Sequence, residues 1–419
     1  MVYIVDELMG SGKTTGMINY INRADDNQRF IYITPYLPEV NRVVECCKSK
    51  HFLQPYRVSG KKYERDEGKT FFNKTEGLRR LLHKGVNIVT THSLFFHFDD
   101  EMIETCKKFN YTLVMDEVAN VARPYNEITK YDIQVLTSTL VEEKPDHTLK
   151  WKDECQDYDG KYNQEKALCN MGCLTLHGKE AFIWLFPIKA FEAFKDTYIL
   201  TYMFDAQIQK YYYDYHNVKY QYIYVKGATI DDYIITTEKC SVKPKYDYKQ
   251  LITVSDNEKM NAVGDDKNAL SSSWYKKNTK TTAMKKIKNN CVNFFNNICK
   301  SSTNNNIWTV YEAYQDELKG KGYVKGFLPC STRAINSYSD RHCIAYLINF
   351  FMNPILISFF RTKGIEVNDA KYGLSEMLQF IWRSAIRKGE PISVYIPSSR
   401  MRNSFLQWLN EINKEYHNE

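Results

Sequence analysis

Residues Gly10-Ser11-Gly12-Lys13-Thr14-Thr15 follow an apolar run, Val2–Val5, and open a helical pattern that continues through about Ile21. A strand that turns through two glycines into a helix restricts the possible folds more than any other stretch of this chain. Glycines let backbone N–H groups wrap an anion, and the helix N-terminus adds a partial positive charge. Lys13 is then placed to reach the β- and γ-phosphates of a nucleotide, and the Thr14 hydroxyl to bind Mg²⁺. The candidate nucleotide-binding set is Gly10, Ser11, Gly12, Lys13, Thr14 and Thr15. The usual pattern, G-x-x-x-x-G-K-[ST], has a glycine where this chain has Glu7. A chance G-K-T in a loop is the alternative; the strand before it and the helix after it weigh against that.

A second apolar run, Thr112-Leu113-Val114-Met115, ends in Asp116-Glu117. A parallel strand that ends in Asp delivers a carboxylate beside a phosphate loop. Asp116 is therefore the second candidate Mg²⁺ ligand, acting mostly through water. Glu117 is the candidate to accept a proton from the attacking water or to orient it. The plain alternative is a helix start rich in acids. Lys13 and Asp116 lie 103 residues apart, which leaves room for the intervening strands of one lobe.

The rest of the chain repeats the alternation. Phe30–Thr34, Val86–Thr90 and Tyr198–Thr201 read as further buried strands, and Lys74–His83 as a helix. Such alternation predicts βαβ units around a parallel sheet. Ile307–Tyr311, a strand led into by Gly326–Pro329, and Ser393–Ile396 predict a second series. The expected fold class is α/β, with two lobes, each a mostly parallel sheet flanked by helices. The first spans 1–210, with an insertion at about 142–178. The second spans 211–419, with a polar loop at about 254–288. A strand meander, Tyr220–Val225 and Tyr233–Thr237, is expected near the boundary, and Ala345–Phe360 reads as a buried helix broken near Pro354.

At 419 residues, two or three domains are expected, and 43% hydrophobic residues exclude global disorder. The apolar run Ala345–Phe360 is too short to span a bilayer, and Asn349, Asn353 and Pro354 interrupt it. The first fifteen residues lack the basic stretch and long apolar core of a secretory signal. Eleven cysteines, an odd number in a long chain, fit reduced thiols rather than a disulfide framework. A cytoplasmic protein is the expectation. The net charge of +7 permits an anionic partner without demanding one, because 57 basic residues face 50 acidic ones. The 32 tyrosines and 22 phenylalanines suit base stacking, but ordinary core and sheet content is the better account of any single one.

The motif series resembles a superfamily 2 helicase of the DEAD/DEAH type, most closely those of bacteriophages of low-GC Gram-positive bacteria. A fainter likeness to herpesvirus origin-binding helicases rests on the M-G-S-G-K-T-T loop and the D-E-V box. The resemblance covers nearly the whole chain. Gly10–Thr15 matches motif I and Asp116-Glu117 matches motif II. Thr34-Pro35-Tyr36 stands where such proteins place motif Ia, and Thr90-Thr91-His92-Ser93 where they place motif Ib. Thr201 holds the place of motif III, which couples nucleotide state to the nucleic-acid groove, although Met203 replaces the second hydroxyl. Ser331–Asn336 resembles motif V. Gln379-Phe380-Ile381-Trp382-Arg383 through Arg387 resembles motif VI, with Trp382 in place of Gly and the last arginine one residue late.

The resemblance implies two RecA-like lobes that hydrolyse ATP with Mg²⁺ in the cleft between them while moving on a nucleic-acid strand. It implies DNA as partner, single-stranded or forked, in phage replication or recombination inside an infected bacterium, alongside phage or host replication proteins. The implied catalytic residues are Lys13, Asp116, Glu117, Gln379, Arg383 and Arg387, with one of the two arginines as the arginine finger. Thr34, Pro35, Thr91, His92, Thr332 and Arg333 would touch the strand. About nine residues precede Gly10, too few for the upstream glutamine motif that reads adenine in DEAD-box proteins, so ATP is the default nucleotide. Two alternatives remain: a phage DNA-packaging ATPase of the terminase type, or a nucleotide-gated DNA-binding loader.

Two weaker features remain. Cys169, Cys173 and His177, with Cys155 upstream, are a conceivable zinc set if helical, although structural zinc prefers closer paired spacings. Tyr275–Lys288 is basic and polar. It reads as a solvated charge run or as a phosphate-contacting segment.

Overall fold

The computed structural model describes residues 1–35, 37–56, 73–227, 229–240, 243–330 and 338–417. The apolar runs of the first half become strands β1 (Val2–Asp6), β2 (Phe30–Thr34), β3 (Ile88–Thr91) and β4 (Thr112–Asp116). The next four are β5 (Ala122–Tyr125), β6 (Val141–Glu143), β7 (Leu149–Trp151) and β8 (Leu174–His177). β9 (Ala181–Leu185), β10 (Asp196–Thr201), β11 (Tyr220–Lys226) and β12 (Ile234–Thr236) follow. The second half contributes β13 (Ile252–Val254), β14 (Asn306–Thr309), β15 (Cys343–Tyr346) and β16 (Ile392–Tyr395). The fold class is mixed α/β, with parallel sheets flanked by helices.

The largest sheet has seven strands in the order β12-β11-β1-β10-β4-β2-β3. Every pairing in it is parallel except β11 with β12. Its inner strands are covered on both faces, which is why β2 reads as an unbroken apolar run with all five residues buried. The second sheet is wholly parallel, in the order β13-β16-β15-β14.

Two compact units contain these sheets. The first comprises Met1–Asp6, Lys13–Lys239 and Asn353–Val367; the second comprises Glu7–Gly12, Cys240–Met352 and Asn368–Glu419. The first unit thus runs beyond the expected limit at 210, because β11 pairs with β1 and carries β12 with it. The helix Pro354–Thr362 also returns to that unit, where Phe360 packs on Tyr211 and Phe359 on Tyr215.

Two expectations for local structure change. Ala345–Phe360 is not one helix: β15 takes up its start, and a helix begins only at Pro354, whose missing N–H costs nothing in the first turn. The polar stretch 254–288 is not a loop. It forms the helices Glu258–Asn261, Ser272–Asn278 and Thr282–Asn293, with Asn257 and Ser271 capping the first two. The last of these buries Met284, Ile287 and Cys291, a helical spacing hidden within lysines and asparagines. The strand that Gly326–Pro329 is expected to lead into falls on 331–337, outside the described residues; Phe327 forms an isolated parallel bridge with Trp308 of β14.

The insertion is larger than 142–178. β5 and β8 flank β9 in an antiparallel sheet, and β6 and β7 form a hairpin. Trp151, Leu136, Leu149 and Leu174 fill its core without exposure. The module needs β5 and β9 to close that core, so it begins before residue 142 and ends after residue 178.

Candidate nucleotide site and its surroundings

Because β1, β10, β4, β2 and β3 run in parallel, their carboxyl ends share one edge of the sheet. The register aligns Asp6 with Thr201, Leu200 with Asp116, and Thr34 with Thr91. Six of the residues singled out by motif, together with Asp6, are therefore gathered along that edge or just past it: Thr34, Thr91, His92, Asp116, Glu117 and Thr201. Open α/β sheets bind ligands at this edge.

The loop after β1 turns where Ser11 N–H donates to Leu8 O at 3.2 Å. Gly10 has φ +84° and Gly12 φ +90°, a left-handed region in which a side chain would be strained. The helix Lys13–Arg23 starts directly after them, so its unsatisfied first-turn N–H groups face the turn. Lys13 is buried.

The Thr14 hydroxyl lies 3.4 Å from Oδ2 of Asp116, and the Tyr32 hydroxyl 3.5 Å from the same oxygen. Burial, the Glu117 charge and Glu39 push the Asp116 carboxyl up to about 7, while Lys13 and Arg42 pull it down. Asp6 rises to about 6, chiefly by burial; the Phe204 N–H at 3.0 Å opposes the shift. Its other oxygen, Oδ1, is buried with no hydrogen-bond partner among the described residues. Two buried acids titrating near neutrality are unusual unless a cation or ligand completes their surroundings.

Glu117 sits just beyond the strand with φ +71°, its N–H donating to Leu200 O at 2.9 Å. That bond ties motif II to β10. His92 Nε2 lies 3.0 Å from the Asp116 carbonyl oxygen, which ties the motif Ib position to the same strand end. The hydroxyls of Thr91 and Ser93 are 3.0 Å apart. Thr34 is buried, and Pro35 is half-buried beside it. Thr201 is fully buried, and its hydroxyl has no hydrogen-bond partner among the described residues. Met203 follows at φ +57°, in a left-handed turn that ends the strand's path.

The donor set fits a hard cation. A hydroxyl and a carboxylate within 3.4 Å offer two oxygens, the small protein share that Mg²⁺ takes when phosphates and water supply the rest. Among the described residues no group of three His, Cys, Asp or Glu stands together as a metal site. The conceivable zinc set accordingly disperses. Cys169 and Cys173 are buried, with thiols pushed up to about 12 by desolvation, while His177 Nε2 lies 3.0 Å from the Ser358 hydroxyl.

In the second unit, Gln379 stands near the end of the helix Asp369–Ile381, its Nε2 buried without a hydrogen-bond partner among the described residues. The helix ends at Ile381, and Ser384 is extended. Arg383 and Arg387 therefore do not share a helix face, despite their i, i+4 spacing. Arg383 is buried and donates to Pro329 O and Cys330 O, both at 3.4 Å, over the Phe380 ring. Arg387 is exposed, in the short turn Ala385–Lys388. Thr332 and Arg333 lie outside the described residues.

Four residues that shape the site escaped sequence reading: Asp6, Tyr32, Glu39 and Arg42. Asp6 had a signal, since it is the last residue of the strand before the glycine turn. Glu39 and Arg42 pair at 3.2 Å one turn apart, directly after Thr34-Pro35. Tyr32 gave no signal beyond its place in a buried strand.

The class defined by this architecture is an α/β protein with a Rossmann-like C-terminal domain. Residues 246–409 match the family description YonV C-terminal Rossmann-like domain, and residues 124–184 match YonV middle domain. The second match falls on the inserted β5–β9 module. The SPbeta prophage-derived protein YonV of Bacillus subtilis (strain 168) is 39% identical over 415 residues, covering 97% of this chain and 98% of that one. The chain belongs to the YonV family. The solved structure of S. tokodaii Xpd4 is similar at a TM-score of 0.46 and 10% identity, over 97% of this chain and 94% of that one. At that score the likeness carries no functional argument. No helix among the described residues is long and apolar enough to cross a membrane.

Proposed function

We propose that the chain is a nucleic-acid-dependent ATPase, a helicase or translocase of the superfamily 2 type that acts on DNA in phage replication or recombination. The observation that carries this reading is the placement of the Thr14 hydroxyl 3.4 Å from a buried Asp116 carboxylate, next to a glycine turn that opens a helix. That is the chemistry an Mg²⁺–nucleotide requires, and Asp116 at about 7 is a group whose charge awaits a cation.

In this reading the N–H groups of Gly10–Thr15 cradle the phosphates, and Lys13 neutralises the β- and γ-oxygens. Thr14 and Asp116 hold the Mg²⁺, which when bound supplies charge neutralisation of the transferred phosphoryl group. Glu117 orients the attacking water and takes its proton. Gln379, Arg383 and Arg387 are the candidates for sensing and neutralising the γ-phosphate. Arg387 suits contact with a ligand because it is exposed. Arg383, already donating to two main-chain carbonyls, suits holding the Pro329–Cys330 segment in place.

Thr34, Pro35, Thr91, His92, Thr332 and Arg333 are assigned to the nucleic-acid strand. The His92–Asp116 hydrogen bond supports a link from strand to nucleotide, because a shift of either partner is felt by the other. Thr201 is assigned to the same coupling.

The test is ATP hydrolysis with Mg²⁺, with and without single-stranded DNA, duplex DNA and RNA, and with Lys13→Ala as control. Stimulation by one nucleic acid, lost in the variant, is the expected result. Hydrolysis indifferent to every nucleic acid would remove the motor reading.

A further inference from the structure

Between Asp266 and Glu312 the chain carries eight lysines and no acidic residue. Such a bias departs sharply from the nearly balanced 57 basic and 50 acidic residues of the whole chain. The fold decides what it means. Residues Ser272–Asn278 and Thr282–Asn293 are helices of the second unit joined by a short turn at Lys280. Both anchor in one core: Tyr275, Met284, Ile287 and Cys291 are almost fully buried there, and the Tyr275 hydroxyl donates to Leu347 O at 2.7 Å. Burying those residues turns Lys276, Lys277, Lys285 and Lys286 to solvent.

Several exposed lysines elsewhere are held by a carboxylate. Lys130 pairs with Glu180, Lys161 with Asp132, Lys189 with Asp100 and Lys388 with Asp340. Among the described residues Lys276, Lys277, Lys280, Lys285, Lys286 and Lys288 enter no ion pair. Of the nearby acids, Glu317 is spent on the Lys280 backbone N–H at the turn between the helices, and Asp316 pairs with Lys319 at 2.8 Å. Two adjacent helices therefore present a cluster of lysines, none held in a side-chain ion pair among the described residues, interleaved with asparagine and threonine, the residue types that contact phosphate oxygens.

We propose that the outer faces of helices Ser272–Asn278 and Thr282–Asn293 are a docking surface for the phosphate backbone of a nucleic acid, separate from the strand-end motifs of the first unit. The contact is independent of sequence and of nucleotide, because ammonium groups read charge and displace counterions rather than base edges. The argument rests on charge placement and not on the phosphate loop, so it stands or falls apart from the ATPase reading.

The experiment is fluorescence anisotropy of labelled single-stranded and duplex DNA with the full chain, without nucleotide, from about 50 to about 200 mM salt. The variant carries Lys276→Glu, Lys277→Glu, Lys285→Glu and Lys286→Glu; the control is Lys130→Glu, equally exposed but paired. The expected result is at least about a tenfold loss of affinity and a log–log salt slope shallower by about three, with the control unchanged. A second variant, all four to Gln, guards against misfolding and should lose affinity to a lesser degree. Unchanged affinity and slope in both variants would overturn the proposal. So would binding to phosphatidylglycerol vesicles in place of DNA. Lysine-dependent binding that survives Lys13→Ala supports the surface even where hydrolysis is absent. Nucleic-acid-stimulated hydrolysis with unaltered binding in the variants sinks the surface and spares the motor.

Discussion

At the carboxyl edge of the first sheet, Asp6 and Asp116 are buried acids pushed up to about 6 and about 7, mainly by desolvation. In the second unit Arg383 is a buried cation, and its guanidinium meets two main-chain carbonyls at 3.4 Å. Removing a charge from water costs several kcal/mol unless partners offset it. Arg383 has its partners within the fold. Asp116 accepts from the neutral Thr14 and Tyr32 hydroxyls, but Glu117 and Glu39 repel its charge and Lys13 and Arg42 only partly compensate. The difference separates a charge that organises structure from one that waits for a ligand.

The contrast predicts its largest effect at the acids. Glu117→Gln should lower kcat about a hundredfold or more while nucleotide still binds, because only the proton acceptor is lost. A steady-state assay beside equilibrium nucleotide binding checks it; a variant that hydrolyses normally would remove Glu117 from the chemistry.

Next in size is a stability effect at the arginines. Arg383→Ala should destabilise the fold by about 2–4 kcal/mol, since it strands two carbonyls and opens a cavity over Phe380. Arg387→Ala should cost less than about 1 kcal/mol and act on hydrolysis instead. Chemical denaturation of the two variants decides this, and equal losses would erase the distinction between the two sites.

The third effect is pH. A carboxyl raised from 3.8 to about 7 favours the folded state when protonated, so its contribution is complete below about 3.8 and lost as pH rises through about 7. Without Mg²⁺ the protein should thus gain from Asp116→Asn at pH 8, on the order of 2 kcal/mol or a few degrees in Tm, and little at pH 4. Melting curves at both values check the sign. The smallest effect concerns affinity: below about 7, Mg²⁺ binding should weaken about tenfold per pH unit as the cation competes with the proton.

Legibility followed local chemistry. Phe30–Thr34 and Lys74–His83 were readable to the residue, the first from an unbroken apolar run; in the structure Asn73 caps the second. The glycine turn was readable because its neighbours demand it. The helices within 254–288 were not, since their buried apolar residues, Met260, Tyr275, Met284 and Ile287, are outnumbered by lysines, threonines and asparagines. The separation of Arg383 from Arg387 was not readable either, because the helix ends at Ile381 and nothing in Trp382-Arg383-Ser384 signals a stop as glycine or proline would. Tyr32 joins the site only through strand register and packing, which a single sequence does not encode locally, whereas the position of Asp6 at the end of the strand before the glycine turn was a signal that went unread.

The central claim is that the turn after β1 and the end of β4 together hold an Mg²⁺–nucleotide. Calorimetric titration of Mg²⁺ with a non-hydrolysable ATP analogue, into the wild-type chain and into Lys13→Ala, tests it most directly. The account predicts one saturable site in the wild type, weakened by about tenfold or more in the variant. Equal binding by the two proteins, or none by either, would contradict it.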